Sequence, residues 1–260
     1  MSDLLQTLDE GPIRTLRLAR PPVNALNPEL CRALIAALAA AHADDVHGLV
    51  LAGGAGIFTG GLDVPYLMSL GEDRDALLDA WHAFFGAARS LAESRIPVAA
   101  ALTGHSPAGG CVLALCCDYR VMARSTDLAR PFAIGLNEVQ VGLVAPEGIQ
   151  RLMRRAVGPH RAERLLVAGD MVPAERAVEI GLVDELADLP EVEARAKAWL
   201  QTLLRLPRQP MQQTRAIARA AVVESLAPEL IQLGRFVDAW SAADTQAALR
   251  ALLARISKTG

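Results

Sequence analysis

Short apolar runs alternate with longer stretches of helical period over roughly the first 145 positions, and the pattern changes to helix alone after that. Apolar runs at 13–18, 47–52, 96–102 and 119–123 predict buried strands, with a further short strand near Phe132. Between them, 28–43 and 74–91 carry apolar residues at helical spacing. Beyond Glu147 the spacing predicts helices over 159–168, 174–180 with Gly181 as C-cap, 191–206, 210–223 and 228–256, the last broken near Ser241. The apolar faces of the last three include Trp199, Leu203, Leu230, Phe236, Trp240 and Leu252, which as an isolated arm would leave much surface uncovered. Alternation of this kind defines an α/β chain without fixing which α/β fold it adopts. A main domain over 1–190 and a smaller helical region over 191–260 divide it most simply.

Two of the predicted strands run into glycine-rich turns. The first turn is Gly53-Gly-Ala-Gly-Ile-Phe-Thr-Gly-Gly-Leu-Asp63, and the other is Thr103-Gly-His-Ser-Pro-Ala-Gly-Gly-Cys111, which leads into the apolar helical run 111–117. The turn at 53–63 is a poor phosphate loop: Thr59 stands where a dinucleotide fingerprint wants glycine, and no Walker lysine follows. The turn at 103–111 has the outward form of a nucleophile elbow around Ser106. That elbow takes an oxyanion donor from the residue after the serine, and here Pro107 has no N–H to give. Ala108 replaces the expected glycine, and only His160 lies downstream as a triad base. A different use fits better. A Gly-Gly pair opening a helix leaves unpaired N–H groups at the positive end of the helix dipole, with no side chain to obstruct an incoming carbonyl oxygen. Close packing of helix on strand is the plainer alternative for either turn alone, but two such turns can offer one N–H each to the same oxygen.

On these residues the chain resembles the crotonase (enoyl-CoA hydratase/isomerase) superfamily. Ile57-Phe-Thr-Gly-Gly-Leu-Asp63 is similar to the first oxyanion-hole motif of that family and Gly104-His-Ser-Pro-Ala-Gly-Gly-Cys111 to its second, while Pro21-Pro-Val-Asn-Ala-Leu26 is similar to its early substrate-side loop. The resemblance implies a spiral core of repeated β-β-α units with a C-terminal helical trimerisation region. It also implies a coenzyme A thioester substrate with no separate cofactor and no metal, and a homotrimer or a hexamer of paired trimers. The oxyanion donors fall on the backbone N–H groups of Leu62 and Gly109. Val23, Ala25, Thr59, Gly60, Asp63, Tyr66, Leu67 and Pro107 fall on substrate-side positions, as does the helix around Trp81–Phe85. Phe236 falls where a neighbouring subunit's coenzyme A is within reach. Asp63 reads as a cap of the helix that opens there.

The resemblance also places the bases. Hydratases of the family use two glutamates, and here the first of those positions is Val112 while the second is Glu138. Adding water across a double bond is natural work for two acid–base groups, whereas moving a double bond needs one carboxylate. The segments 107–111 and 135–146 are most similar to the mitochondrial-type isomerases that convert 3-enoyl-CoA to 2-enoyl-CoA, with unsaturated fatty-acid β-oxidation as the implied setting. Apolar neighbours Leu136, Val139 and Val141 point to burial of Glu138, which would raise its pKa. Glu147 is the rival carboxylate. It reads as a charge complementing a helix N-terminus, and turned into the pocket it would restore hydratase chemistry. His105 and Asn137 flank the site as candidates for orienting a water or the base. Hydratase, thioester hydrolase and non-catalytic acyl-CoA binder stay open as alternatives.

Composition narrows the remainder. A formal charge of −3 gives no basic field for nucleic acid. Cys31, Cys111, Cys116 and Cys117 lie in apolar helical runs without metal spacing, which suits reduced thiols in a cytoplasmic, bacterial-type protein. No apolar run is long enough to span a bilayer. The opening Met1-Ser-Asp-Leu-Leu5 does not read as a cleavable signal, and the closing Ser257-Lys-Thr-Gly260 is not a peroxisomal one.

Overall fold

The computed structural model describes residues 4–259, with side chains described through Arg255; positions 1–3 and 260, which belong to the terminal segments tested for targeting signals, lie outside it. In chain order, β1 (Leu5–Glu10) and β2 (Ile13–Leu18) precede α1 (Pro28–Ala43), followed by β3 (Gly48–Ala52), β4 (Gly56–Ile57), α2 (Val64–Ser69) and α3 (Arg74–Ala92). Then come β5 (Val98–Leu102), β6 (Gly104–Pro107), α4 (Gly109–Leu115), β7 (Tyr119–Ala123) and β8 (Ala133–Gly135), a 3-10 turn (Glu138–Val141), α5 (Glu147–Val157), α6 (Pro159–Ala168), β9 (Val172–Pro173), α7 (Ala174–Glu179) and β10 (Glu185–Ala187). Six helices follow: α8 (Val192–Leu204), α9 (Arg208–Ala218), α10 (Ala220–Ser225), α11 (Pro228–Ile231), α12 (Leu233–Trp240) and α13 (Ala243–Thr259).

The strands form two sheets. The larger runs β1-β2-β3-β5-β7-β10, parallel except for the β1/β2 hairpin, and the smaller runs β4-β6-β8-β9. Each turn of the chain therefore adds one strand to the large sheet, one to the small sheet, and a helix: β3-β4-α2, β5-β6-α4, β7-β8-α5. This is the spiral of β-β-α units. The large sheet is buried on both faces, which is why its strands read as continuous apolar runs. Leu49 and Leu51 face the main core, whereas Val50 and Ala52 face the opposite side, where Val192, Ala196 and Leu200 of α8 cover them at four-residue spacing. Helix α8 thus belongs to the sheet packing of its own chain, and the core extends past position 190.

In the small sheet, β4 and β6 leave no strand pattern in the sequence because they sit inside the glycine turns, whereas β8 is the short strand expected near Phe132. At Gly104 a Cβ would lie 2.0 Å from the Gly56 carbonyl oxygen, so only glycine lets β6 pair with β4. The exposed β1 has no apolar face and leaves no pattern either. The stretch expected as one helix over 210–223 is two helices, and the C-terminal stretch breaks at Gln232 as well as near Ser241.

The C-terminal helices close back onto the core. Asp118, after α4, accepts from Arg215 at 2.7 and 2.8 Å, pairs with Arg219 at 3.1 Å and accepts the Val98 N–H at 2.8 Å, all shielded from water. Trp199 stacks on Tyr119 and Trp240 is fully buried. Much of the apolar surface expected to await a partner is therefore covered by the chain itself.

Candidate active site

The first glycine turn and the early loop are stitched together by a dense set of hydrogen bonds. Gly60 N–H donates to Val23 O, Leu26 N–H to Gly61 O, and Asp63 N–H to Leu26 O, at 2.7, 2.8 and 3.1 Å. Thr59 is fully buried, and its hydroxyl donates to Asn24 O and accepts from Gly61 N–H. Asp63 uses both carboxylate oxygens: Oδ1 caps α2 through Tyr66 N–H at 2.9 Å, and Oδ2 pairs with Arg20 at 2.7 Å. Among the described residues the Leu62 N–H, in the middle of this lattice, has no protein acceptor.

The second turn meets the first at Gly61. Its φ is +83°, and a Cβ there would stand 3.1 Å from Pro107 O and 3.8 Å from Gly109 N. Any other residue would push the turns apart. Ala108 precedes α4 at φ 44°, ψ −110°, a conformation that costs an alanine on the order of 1–3 kcal/mol. Its N–H is held by Gly135 O at 2.8 Å. Gly109 is the first residue of α4, so its N–H has no acceptor within the helix, and the structure gives it none elsewhere among the described residues. Strain at Ala108 and two free N–H groups on abutting turns make a preorganised site for an oxygen that gains negative charge.

Leu62 and Gly109 line a cavity of about 520 Å³ together with Glu138 and Val112. Val23, Ala25, Gly60, Asp63 and Pro107 also line it, as does Asn137. Glu138 opens the 3-10 turn, which ends at Gly142. Its Oε2 is shielded from water and has no hydrogen-bond partner. Burial pushes this carboxyl up to about 7, opposed in part by its own backbone N–H. A carboxylate with that pKa and a free oxygen is poised as a base at neutral pH. Val112 fills the helix position where a second carboxylate would stand.

Several sequence candidates lie elsewhere. Glu147 starts α5 on the outer side, paired at 3.0 Å with both Arg151 and Arg154, which hold its carboxyl below its ordinary range; it does not line the cavity. Tyr66 and Leu67 turn away from the cavity, Leu67 into the core, and Thr59 braces the loop instead of lining the site. His105 accepts from Ala133 N–H through Nδ1 and packs edge-on against Phe132, outside the cavity. Ser106 is buried without a hydrogen-bond partner, so no triad assembles on it. Phe236, by contrast, does line the cavity and packs on its own chain's Trp81, with ring centroids 4.4 Å apart. The cavity also takes Val141, Leu143, Ile149 and Leu252. Sequence reasoning misses these four, since apolar residues after Glu138 and in α13 carry no mark that separates lining from core. Among the described residues no three metal-ligating side chains converge, and no helix is long and apolar enough to cross a membrane.

Fold and site together place two backbone N–H groups without acceptors and one carboxylate with a free oxygen on the wall of a single cavity. The enoyl-CoA hydratase/isomerase family model matches residues 9–253, and the chain belongs to that family. The rat mitochondrial enoyl-CoA delta isomerase 1 is 31% identical over 225 residues, covering 86% of this chain and 76% of that protein. A probable enoyl-CoA hydratase of Mycobacterium tuberculosis is 33% identical over 218 residues, 82% of this chain and 78% of that protein. Human mitochondrial delta3-delta2-enoyl-CoA isomerase superposes with a TM-score of 0.91 at 28% identity, over 98% of this chain and 99% of that one. The fold is therefore the crotonase fold, and the protein an enzyme of the crotonase family, on the isomerase and hydratase side of it.

Proposed function

We propose that the enzyme is a Δ3,Δ2-enoyl-CoA isomerase working with Glu138 as its single base. The thioester oxygen of a 3-enoyl-CoA sits between the N–H groups of Leu62 and Gly109. Glu138 takes a proton from C2. The C–H electron pair becomes the C1–C2 double bond as the thioester π pair moves onto oxygen, where the two N–H groups stabilise the charge. The dienolate then collapses: the oxygen pair re-forms the thioester carbonyl, the C1–C2 π pair moves to C2–C3, and the C3–C4 π pair takes the same proton at C4 from Glu138. Atoms and electrons balance without water, metal or redox partner. Val23, Ala25, Gly60, Asp63 and Pro107 line the side on which the coenzyme A portion enters.

The observation that carries this is the presence of one free carboxylate in the cavity. Asp63 is occupied by Arg20 and the α2 cap, Glu147 is turned outward, and Val112 faces the substrate without a polar atom. The alternative is hydratase action, supported by the relatives named as hydratases and by Asn137, whose side chain at the cavity wall can hold a water. The same reading takes in a homotrimer or hexamer, a cytoplasmic location and a place in the β-oxidation of unsaturated fatty acids.

The test is a pair of assays on the enzyme and its Glu138→Gln variant, one following 3-enoyl-CoA to conjugated 2-enoyl-CoA and one following hydration of 2-enoyl-CoA. Fast isomerisation with little hydration, lost in the variant, supports the one-base mechanism. Hydration at a comparable rate overturns it in favour of a hydratase. Binding of acyl-CoA with neither reaction would leave a binding protein.

A further inference from the structure

One wall of the cavity is aromatic and begins beside Gly109, where a Cβ would stand 3.1 Å from the Phe84 ring. Helix α3 supplies Trp81, Phe84 and Phe85, with Trp81 and Phe85 stacked at 6.2 Å and Phe84 and Phe85 edge-on at 5.1 Å. Helix α12 brings Phe236 edge-to-face against Trp81, and the buried Trp240 fixes α12 against the same indole at 6.1 Å. A salt bridge from Arg74 to Asp238 at 3.0 Å ties α12 to the start of α3.

On another side of Phe236 lies a second cavity of about 420 Å³. It shares Leu143, Pro146 and Phe236 with the first and has an apolar side along Val144, Leu230 and Ile231, while Glu147, Gln150 and Arg235 form a polar side. Nothing in the proton shuttle uses it. Leu143 and Pro146 belong to the loop between the 3-10 turn and α5, whereas Phe236 is a single side chain on a short helix and is only partly buried. Of the three shared wall residues, Phe236 is the one whose ring can swing or be trimmed without disturbing Glu138.

We propose that Phe236 sets the acyl-chain length the enzyme accepts, standing as a partition between the acyl cavity and an extension, apolar on its Leu230–Ile231 side, that only longer chains would enter. This rests on the acyl-CoA reading of the site and adds the class of acyl chain. Each methylene that an apolar pocket removes from water strengthens binding by about fourfold. Chain-length preference rises while the tail stays against Trp81, Phe84 and Phe85. It stops rising where the next methylene must displace Phe236 from the face it shares with Trp81. With Phe236 reduced to a methyl group, the two cavities become continuous and the tail runs on between Leu230 and Ile231.

The experiment measures kcat/KM for straight-chain 3-enoyl-CoA substrates of six to sixteen carbons, with Kd for the matching saturated acyl-CoAs in parallel. Enzyme, Phe236→Ala, Phe236→Leu and Phe236→Trp are compared, each checked for folding by thermal melt. The expected result is a profile that levels off or falls at intermediate length in the enzyme. In Phe236→Ala the optimum moves to longer chains, with at least a tenfold gain at sixteen carbons relative to eight. In Phe236→Trp it moves to shorter ones. Should the alanine variant fail to fold, the leucine and tryptophan variants give the same ordering. Profiles that stay parallel across the variants overturn the proposal while leaving isomerase chemistry intact. If no chain isomerises yet the Kd profiles shift as described, Phe236 keeps its role and the isomerase reading falls.

Discussion

In the proposed isomerase Glu138 is the base because of where its charge would have to exist. Its free Oε2 is shielded from water, so ionisation is opposed by burial and its pKa rises from 4.5 to about 7. In the unfolded chain the same group ionises near its ordinary value. Between the two pKa values the folded state holds the proton and the unfolded state does not, so stability falls as pH climbs from about 4.5 through about 7. Replacing Glu138 by glutamine removes this cost. Glu138→Gln should melt several degrees above the enzyme at pH 8, from a gain of at most about 3 kcal/mol, and no higher at pH 4. Thermal melts at the two pH values check this. The ionised form is the base, so kcat/KM should rise about tenfold per pH unit below an apparent pKa near 7 and level off above it; a pH–rate profile with its limb at 4 to 5 would contradict the burial. At this scale the sequence is informative where a residue type is rare in its setting: a glutamate among Leu136, Val139 and Val141, a valine at position 112. It is uninformative for Tyr66 and Leu67, because a helix register uncertain by one residue decides whether a side chain meets cavity or core.

The elements that matter are two turns, and they matter through their backbone. Gly61 at positive φ lets the first turn rest on Pro107 and Gly109, and the strained Ala108 starts α4 with its first N–H free. Gly61→Ala should leave a folded protein whose kcat for isomerisation is about 10²–10³ lower, the usual result of losing one oxyanion donor. Steady-state kinetics beside a thermal melt would check it, and an unchanged kcat would remove Leu62 from the site. The helices α1, α3 and α6 and the strands β2, β5 and β7 are legible because a long apolar period needs no tertiary information. The small sheet is legible only at β8, the short strand expected near Phe132. Its strands are two to four residues long, rich in glycine, and acquire strand geometry only by pairing with one another across the spiral. The turn that holds Glu138 is equally invisible, since four residues of 3-10 helix have no period to detect.

Across the whole molecule, the C-terminal helices supply part of the wall of the cavity that Glu138 lines, through Phe236 and Leu252. They hold there through Trp240 and Phe236 on Trp81, and through the buried Asp118–Arg215–Arg219 cluster beneath α4. Trp240→Ala should cost about 3–5 kcal/mol in denaturant unfolding and weaken acyl-CoA binding, because it empties a fully buried site that seats α12. The apolar faces of these helices read from sequence as surface awaiting a neighbour, and most of that surface is used internally. Ile217 and Leu206 remain exposed. The central claim, one carboxylate carrying one proton between two carbons, is tested most directly by a single turnover on 3-enoyl-CoA deuterated at C2. If Glu138 both removes and returns the proton, part of the label reappears at C4 of the 2-enoyl-CoA, and Glu138→Gln makes no product on that timescale. Product carrying only solvent hydrogen at C4, with 3-hydroxyacyl-CoA forming alongside it, would contradict the single-base shuttle.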